Sequence, residues 1–292
     1  MFSNIRNSCF LLAFLSFSGP LAASAADSTA VDPFAETSVA ETSAAETSAA
    51  GTSAAETSVA GTSVAGTSVA KKMNVYFISG LGADERVFTK LQLDPRLNVK
   101  YIKWVRPLKK ESLQHYAARL SKQIDTSEPF QLVGLSFGGV IASEIADIAC
   151  PQQVTLISSM STGVPLSKFY QLMIKFLLMS PLSAPLLKSA NRITYSYFGA
   201  DNPELKTLLK KILHDTDSKF LKWALTRMSG WNRKERVENL FHIHGTADKL
   251  IPIVIVKPDI IIKNGGHLMV YAQADQISKI LNHRLTTIHS AE

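Results

Sequence analysis

Phe130-Gln131-Leu132-Val133-Gly134-Leu135-Ser136-Phe137-Gly138-Gly139 decides the fold. A short apolar run stops at a glycine-flanked serine, and a helical pattern begins at about Gly138 and continues to Ile148. This is G-x-S-x-G between a strand and a helix. A strand that turns so sharply into a helix forces its central residue into strained backbone and projects the side chain from the sheet edge. Only small residues fit two places to either side, which accounts for Gly134 and Gly138. The following helix also turns its first N–H groups towards the serine oxygen.

Working outward, five more strands have the same character. Val75-Tyr76-Phe77-Ile78 is a continuous apolar run, as expected of a strand buried on both faces, and Val154-Thr155-Leu156-Ile157 reads as another strand. Val99 to Val105, Leu240 to His244 and Ile260-Ile261-Ile262 complete the set. Glu111 to Ile124 reads as an amphipathic helix, with Leu113, Tyr116, Ala117, Leu120 and Ile124 at helical spacing, and a last helix runs from about Met269 to Leu285. Strands alternating with helices predict an α/β fold with a mostly parallel sheet covered on both faces. Residues 163–235 interrupt the alternation. They read as helical and are too many for a loop, so they are expected to form a helical cap.

Two further strand ends supply chemistry. His244-Gly245-Thr246-Ala247-Asp248-Lys249 follows the fifth strand and Gly265-Gly266-His267 the sixth. A serine hydroxyl is a poor nucleophile at neutral pH. It needs a base in contact with it and a carboxylate to orient that base. Ser136, Asp248 and His267 occur in the chain order that this strand–turn architecture requires. Taken singly, Asp248 could be a turn-former and His267 a structural histidine. Three such residues in the right order argue for a catalytic set.

These motifs resemble those of the α/β-hydrolase superfamily, and the resemblance covers residues 73–288. The chain would start at that family's third strand, which makes it a compact member with a cap. By the resemblance Ser136 is the nucleophile, His267 the general base and Asp248 the orienting acid. Some members carry the acid after the preceding strand, but Ser158-Ser159-Met160-Ser161-Thr162 offers no carboxylate there. Ser79-Gly80-Leu81-Gly82 aligns with the family's His-Gly-x element, with Ser79 in the histidine's place. The backbone N–H groups of Leu81 and Phe137 are then the oxyanion-hole donors. The implied activity is a serine hydrolase that cleaves a carboxylic ester or thioester through an acyl-enzyme, without a cofactor. The same triad also serves amide or carbon–carbon cleavage, and a ligand-binding module that keeps the fold is the non-enzymatic alternative.

The chain has 292 residues. Residues 1–25 have the pattern of a secretory signal: Arg6, an apolar stretch opened by Cys9, a Gly19-Pro20 break and the small residues Ala23-Ser24-Ala25. Export to a periplasmic or extracellular location is the expectation. Residues 26–72 read as a linker, with seven tandem pentapeptides at 36–70, from ETSVA to GTSVA. Their composition cannot bury enough area to offset chain entropy, so a solvated spacer or a glycosylated stalk is expected.

Residues 71–292 carry 30 basic against 18 acidic side chains, a formal +12. Lys103, Lys109, Lys110, Lys210, Lys211, Arg233, Lys234 and Arg236 spread that charge without interleaved aromatics, which argues for a solvated surface rather than a nucleic-acid site. Attraction to an anionic membrane surface is a second reading. Phe169 to Met179 is almost wholly apolar and reads as a cap helix walling a site for a small-molecule hydrophobic ester-type substrate, or as a lipid-touching lid. His242 and His244 share a strand face, yet no Cys or carboxylate set accompanies them, so a metal site is not expected. Two cysteines exclude a disulfide scaffold. No apolar run reaches the roughly 18 residues of a membrane span. Oligomeric state is not encoded in any of these features.

Overall fold

In the computed structural model, which describes residues 72–163 and 168–287, strands form where apolar runs can be covered on both sides. The expected signal sequence, linker and pentapeptide repeats lie outside the described residues. The strands are β1 (Met73–Ile78), β2 (Leu97–Tyr101), β3 (Phe130–Leu135), β4 (Gln153–Ile157), β5 (Leu240–Gly245) and β6 (Ile260–Ile262). All pairings are parallel, in the order β2-β1-β3-β4-β5-β6. Every residue of β1, β3 and β4 is buried, which is why their sequences are mainly apolar, with Asn74, Gln131, Gln153 and Thr155 as the buried polar exceptions.

Alternate residues of each strand feed two cores. Tyr76, Ile78 and Leu132 pack under α1 (Leu113–Leu120) and α2 (Phe137–Ala149). Val75, Phe77, Val133 and Ile243 meet α8 (Met269–Ala272) and α9 (Ala274–Thr287) on the other face. Between β4 and β5 the chain makes α3 (Lys168–Met179), α4 (Ser183–Leu187), α5 (Arg192–Phe198), α6 (Pro203–Asp215) and α7 (Ser218–Ser229).

This helical excursion leaves and returns at one place. The Gly163 N–H donates to the Arg233 carbonyl at 2.7 Å, and any Cβ on Gly163 would sit 2.4 Å from the Trp231 carbonyl oxygen. Arg233 then anchors the return to α2. Its guanidinium donates to both Asp147 carboxylate oxygens at 2.7 and 2.8 Å.

Three boundaries differ from the sequence reading. The second strand ends at Tyr101 rather than Val105, because beyond Ile102 the chain turns its polar groups to side chains: Lys103 exchanges two hydrogen bonds with the Gln123 amide. The helix expected from Glu111 starts at Leu113, capped by the Ser112 hydroxyl, which accepts from His115 N–H at 3.1 Å. Glu111 is instead a buried carboxylate that accepts from Arg119 and from Leu108 N–H. The last helix breaks at Gln273 into α8 and α9.

Candidate active site

The sheet's strand order reverses between β1 and β3, so the carboxyl ends of these neighbours open a crevice. Ser136 stands there, immediately after β3 and at the head of α2. Its backbone is at φ 52°, ψ −121°, a conformation that costs a non-glycine residue about 1–3 kcal/mol and persists only where the surroundings enforce it. They do so here from three sides. Ser136 N–H donates to the Ile157 carbonyl at 2.9 Å, while the Ser136 carbonyl accepts from Gly139 N–H at 2.9 Å and from the Ser159 hydroxyl at 2.6 Å. The turn needs its glycines for space. A Cβ on Gly134 would lie 2.4 Å from Gly139 Cα, and one on Gly138 would lie 2.2 Å from the Ile78 carbonyl oxygen.

Asp248 and His267 come from the turns after β5 and β6, and those turns are joined: Ala247 N–H donates to the Gly265 carbonyl at 2.9 Å. The Asp248 carboxylate is buried, with one oxygen accepting from the Leu250 and Ile251 N–H groups at 2.9 Å each. Its other oxygen accepts from His267 Nδ1–H at 2.8 Å. Burial pushes the Asp248 carboxyl upward, but the His267 ring, the Ile251 N–H and nearby His244 outweigh this and hold it below the usual carboxylate range. An ionised Asp248 fixes the proton of neutral His267 on Nδ1. The Nε2 lone pair is then free to accept, and Ser136 Oγ–H lies 2.9 Å away. Ser136, His267 and Asp248, three residues from three strand ends, thus form one connected line. His267 is held from the helical excursion as well, by the edge-on ring of Phe198 at 5.7 Å.

The other two predicted residues flank the serine. Phe137 is the first residue of α2, so its N–H has no partner within the helix. Leu81 lies in the turn after β1, beside Gly80, on which an added Cβ would lie 3.5 Å from Ser136 Cβ. Among the described residues neither N–H meets a protein acceptor.

Sequence reading missed what holds that turn. The Ser79 hydroxyl donates to the Ala83 carbonyl at 2.7 Å, closing the turn across its mouth. Trp104 Nε1–H, at 3.0 Å from both Ser79 Oγ and the Ala83 carbonyl, covers the same bond. Ser79 is visible in the sequence, but its bond is not, and Trp104 falls within the stretch that reads as a strand to Val105.

The two strand histidines are a buried extension of the site. His244 Nε2 lies 2.7 Å from the Ile251 carbonyl, which can only accept, so Nε2 carries the proton. Its Nδ1 therefore accepts from His242 Nε2–H at 3.3 Å. Burial lowers both rings, His242 to about 3, so each is neutral at pH 7. With Nε2 on a carbonyl and Nδ1 on its neighbour, His244 has no lone pair for a metal. Among the described residues no group of three His, Cys, Asp or Glu side chains is placed to hold one.

Ser136 and His267 open into a cavity of about 230 Å³. Its wall is apolar, built by Leu81 from the β1 turn and by Ile174, Leu187, Leu221, Leu225 and Met228 from the helical excursion.

No protein-family model matches the chain, nor does any curated protein sequence. Solved structures do. An esterase from Exiguobacterium antarcticum superposes with a TM-score of 0.60 at 15% identity, over 75% of this chain and 93% of that one. A hydrolase from Oleispira antarctica gives 0.60 at 15% identity, over 74% and 91%. The enol-lactonase from Burkholderia xenovorans LB400 gives 0.59 at 14% identity, over 74% and 92%. At such identities the likeness is one of architecture, and that architecture is the α/β-hydrolase fold.

Proposed function

We propose that the protein is a serine hydrolase that cleaves a carboxylic ester or thioester with a hydrophobic acyl or leaving group. The observation that carries this reading is the unbroken line Asp248–His267–Ser136 ending at an apolar cavity. A neutral His267 with its lone pair on Ser136 can take the hydroxyl proton as Oγ attacks the substrate carbonyl, and Asp248 stabilises the imidazolium that forms. The oxyanion develops beside the Leu81 and Phe137 N–H groups, and each such donor is worth about 3 kcal/mol in the transition state. Imidazolium Nε2–H then protonates the leaving alcohol or thiol, and the acyl group stays on Ser136 Oγ. Water repeats the cycle: His267 takes its proton, the hydroxide adds to the acyl carbon, and Ser136 leaves with the proton returned.

The cavity supports a hydrophobic acyl or leaving group. Its wall of Leu81, Ile174, Leu187, Leu221, Leu225 and Met228 offers such a group apolar contact throughout. The names esterase and enol-lactonase among the similar structures agree with ester chemistry. Labelling of the full chain with a fluorophosphonate probe tests the reading. Wild type should label, Ser136→Ala should not, and p-nitrophenyl esters should be turned over. Folded wild type that neither labels nor hydrolyses any ester would refute it.

A further inference from the structure

Helix α3 is apolar on two sides. One side packs inward: Ile174 and Leu178 are buried with Leu221 and Leu225 of α7, and Ile174 also walls the cavity. The other side is bare. Leu172 is 64% exposed, Phe176 73% and Met179 73%, and Leu182 just before α4 is 75% exposed. Spaced at 172, 173, 176 and 179, these side chains make one stripe about two helical turns long, with Met173 at its edge. A contiguous stripe of this kind on a water-facing helix marks a contact surface.

Its electrostatic surroundings say which contact. Between Asp147 and Asp201 the chain contains no Asp or Glu, while Lys168, Lys175, Lys188 and Arg192 fall in that interval. Elsewhere several cations are paired: Lys90 with Glu204, Lys103 with Glu85 and Arg233 with Asp147. Near the stripe they are not. Lys188 and the neighbouring Lys222 donate to the backbone carbonyls of Thr216 and Ser180. Among the described residues Lys168 and Lys175, both exposed on α3, meet no carboxylate.

We propose that the outer face of α3, with Leu182, docks on the surface of an anionic lipid bilayer. Large apolar side chains enter the acyl boundary while lysines on the same helix reach the phosphate layer. A second copy of this chain fits worse, because it would bring the same uncompensated cations against the first. The same helix walls the cavity, so a docked molecule would hold Ser136 and its apolar pocket about one helix diameter, roughly 10 Å, from the lipid.

The test is co-sedimentation of the full chain with unilamellar vesicles of phosphatidylcholine alone or mixed 3:1 with phosphatidylglycerol. Binding to the mixed vesicles should exceed binding to the neutral ones at least tenfold and fall with added salt. Phe176→Glu with Met179→Glu should abolish it. Lys168→Gln with Lys175→Gln should weaken it by roughly 25-fold, about fivefold for each cation removed. These side chains are exposed, so circular dichroism and fluorophosphonate labelling of Ser136 should stay at wild-type levels; if the glutamate pair unfolds the protein, the glutamine pair decides. No binding, equal binding to neutral vesicles, or binding that survives the glutamine pair would overturn the proposal. So would a concentration-dependent dimer, dispersed by Phe176→Ser, in a chain that ignores vesicles.

Discussion

Replacing Asp248 by asparagine should cost activity out of proportion to the single atom changed, and the structure states why. One carboxylate oxygen of Asp248 accepts from two N–H groups, Leu250 and Ile251, and the other accepts from His267 Nδ1–H. An amide has one oxygen and one NH₂. Facing two backbone donors with the NH₂ would leave three N–H groups pointing at one another, so the oxygen must take that place and the NH₂ must face His267. Nδ1 can then only accept, the ring proton moves to Nε2, and Nε2 donates to Ser136 instead of accepting from it. The base is lost with the geometry intact. A wrong tautomer of this kind lowers kcat by about 10⁴, roughly 5.5 kcal/mol at 1.36 kcal/mol per tenfold change. Steady-state hydrolysis of a p-nitrophenyl ester, with urea unfolding as the stability control, measures both halves. A folded Asp248→Asn enzyme within tenfold of wild-type kcat would refute the assignment of Asp248 as the orienting acid.

Other outcomes follow from the same contacts. Gly138→Ala should abolish labelling of Ser136 and lower the melting temperature, since its Cβ would meet the Ile78 and Ser79 carbonyl oxygens at 2.2 and 2.3 Å; thermal melts beside probe labelling check this. Trp104→Phe removes the N–H that covers the Ser79–Ala83 bond, so kcat should fall about tenfold with little change in KM. His242 is displaced from 6.5 to about 3 by burial and by its neighbours His244 and Arg236, so between those values the unfolded chain binds the extra proton. Stability is therefore full above pH 6.5 and falls as pH drops, by about 2 kcal/mol between pH 6.5 and 5. Urea unfolding across that range should show the loss, and a flat profile would contradict a buried neutral His242. Leu225→Trp, which fills part of the cavity wall, should shift the preferred p-nitrophenyl ester to shorter acyl chains.

The parallel sheet was legible in the sequence because β1, β3 and β4 are buried on both faces and so are mainly apolar. Ser136, Asp248 and His267 were legible for a different reason. Each sits just past a strand end in a small-residue turn, and strand ends are what such patterns reveal best. What could not be read was anything fixed by contact between distant segments. Trp104 looked like strand sequence because its indole bonds to a turn some 20 residues earlier, and no local pattern reports that partnership. Glu111 looked like a helix start, whereas Arg119 and the Leu108 N–H draw it into a buried pocket that period-counting does not see. The tautomer of His244 is likewise set by one carbonyl, that of Ile251, seven residues away.

The clasp between Gly163 and Arg233 has an evolutionary and engineering meaning. For a segment whose two ends are held together, the closure cost grows only slowly with length, by about 0.6 kcal/mol per doubling. The strands on either side keep their register from Val154 opposite Leu240 to Ile157 opposite Ile243, as though nothing lay between them. Exchanging the helices at the Gly163–Arg233 joint would leave Ser136, Asp248 and His267 on the strand ends that carry them. The replacement has to supply a ring to lean on His267, as Phe198 does, a new lining for the pocket, and the apolar side chains that Phe220, Ala224 and Trp231 put into the core.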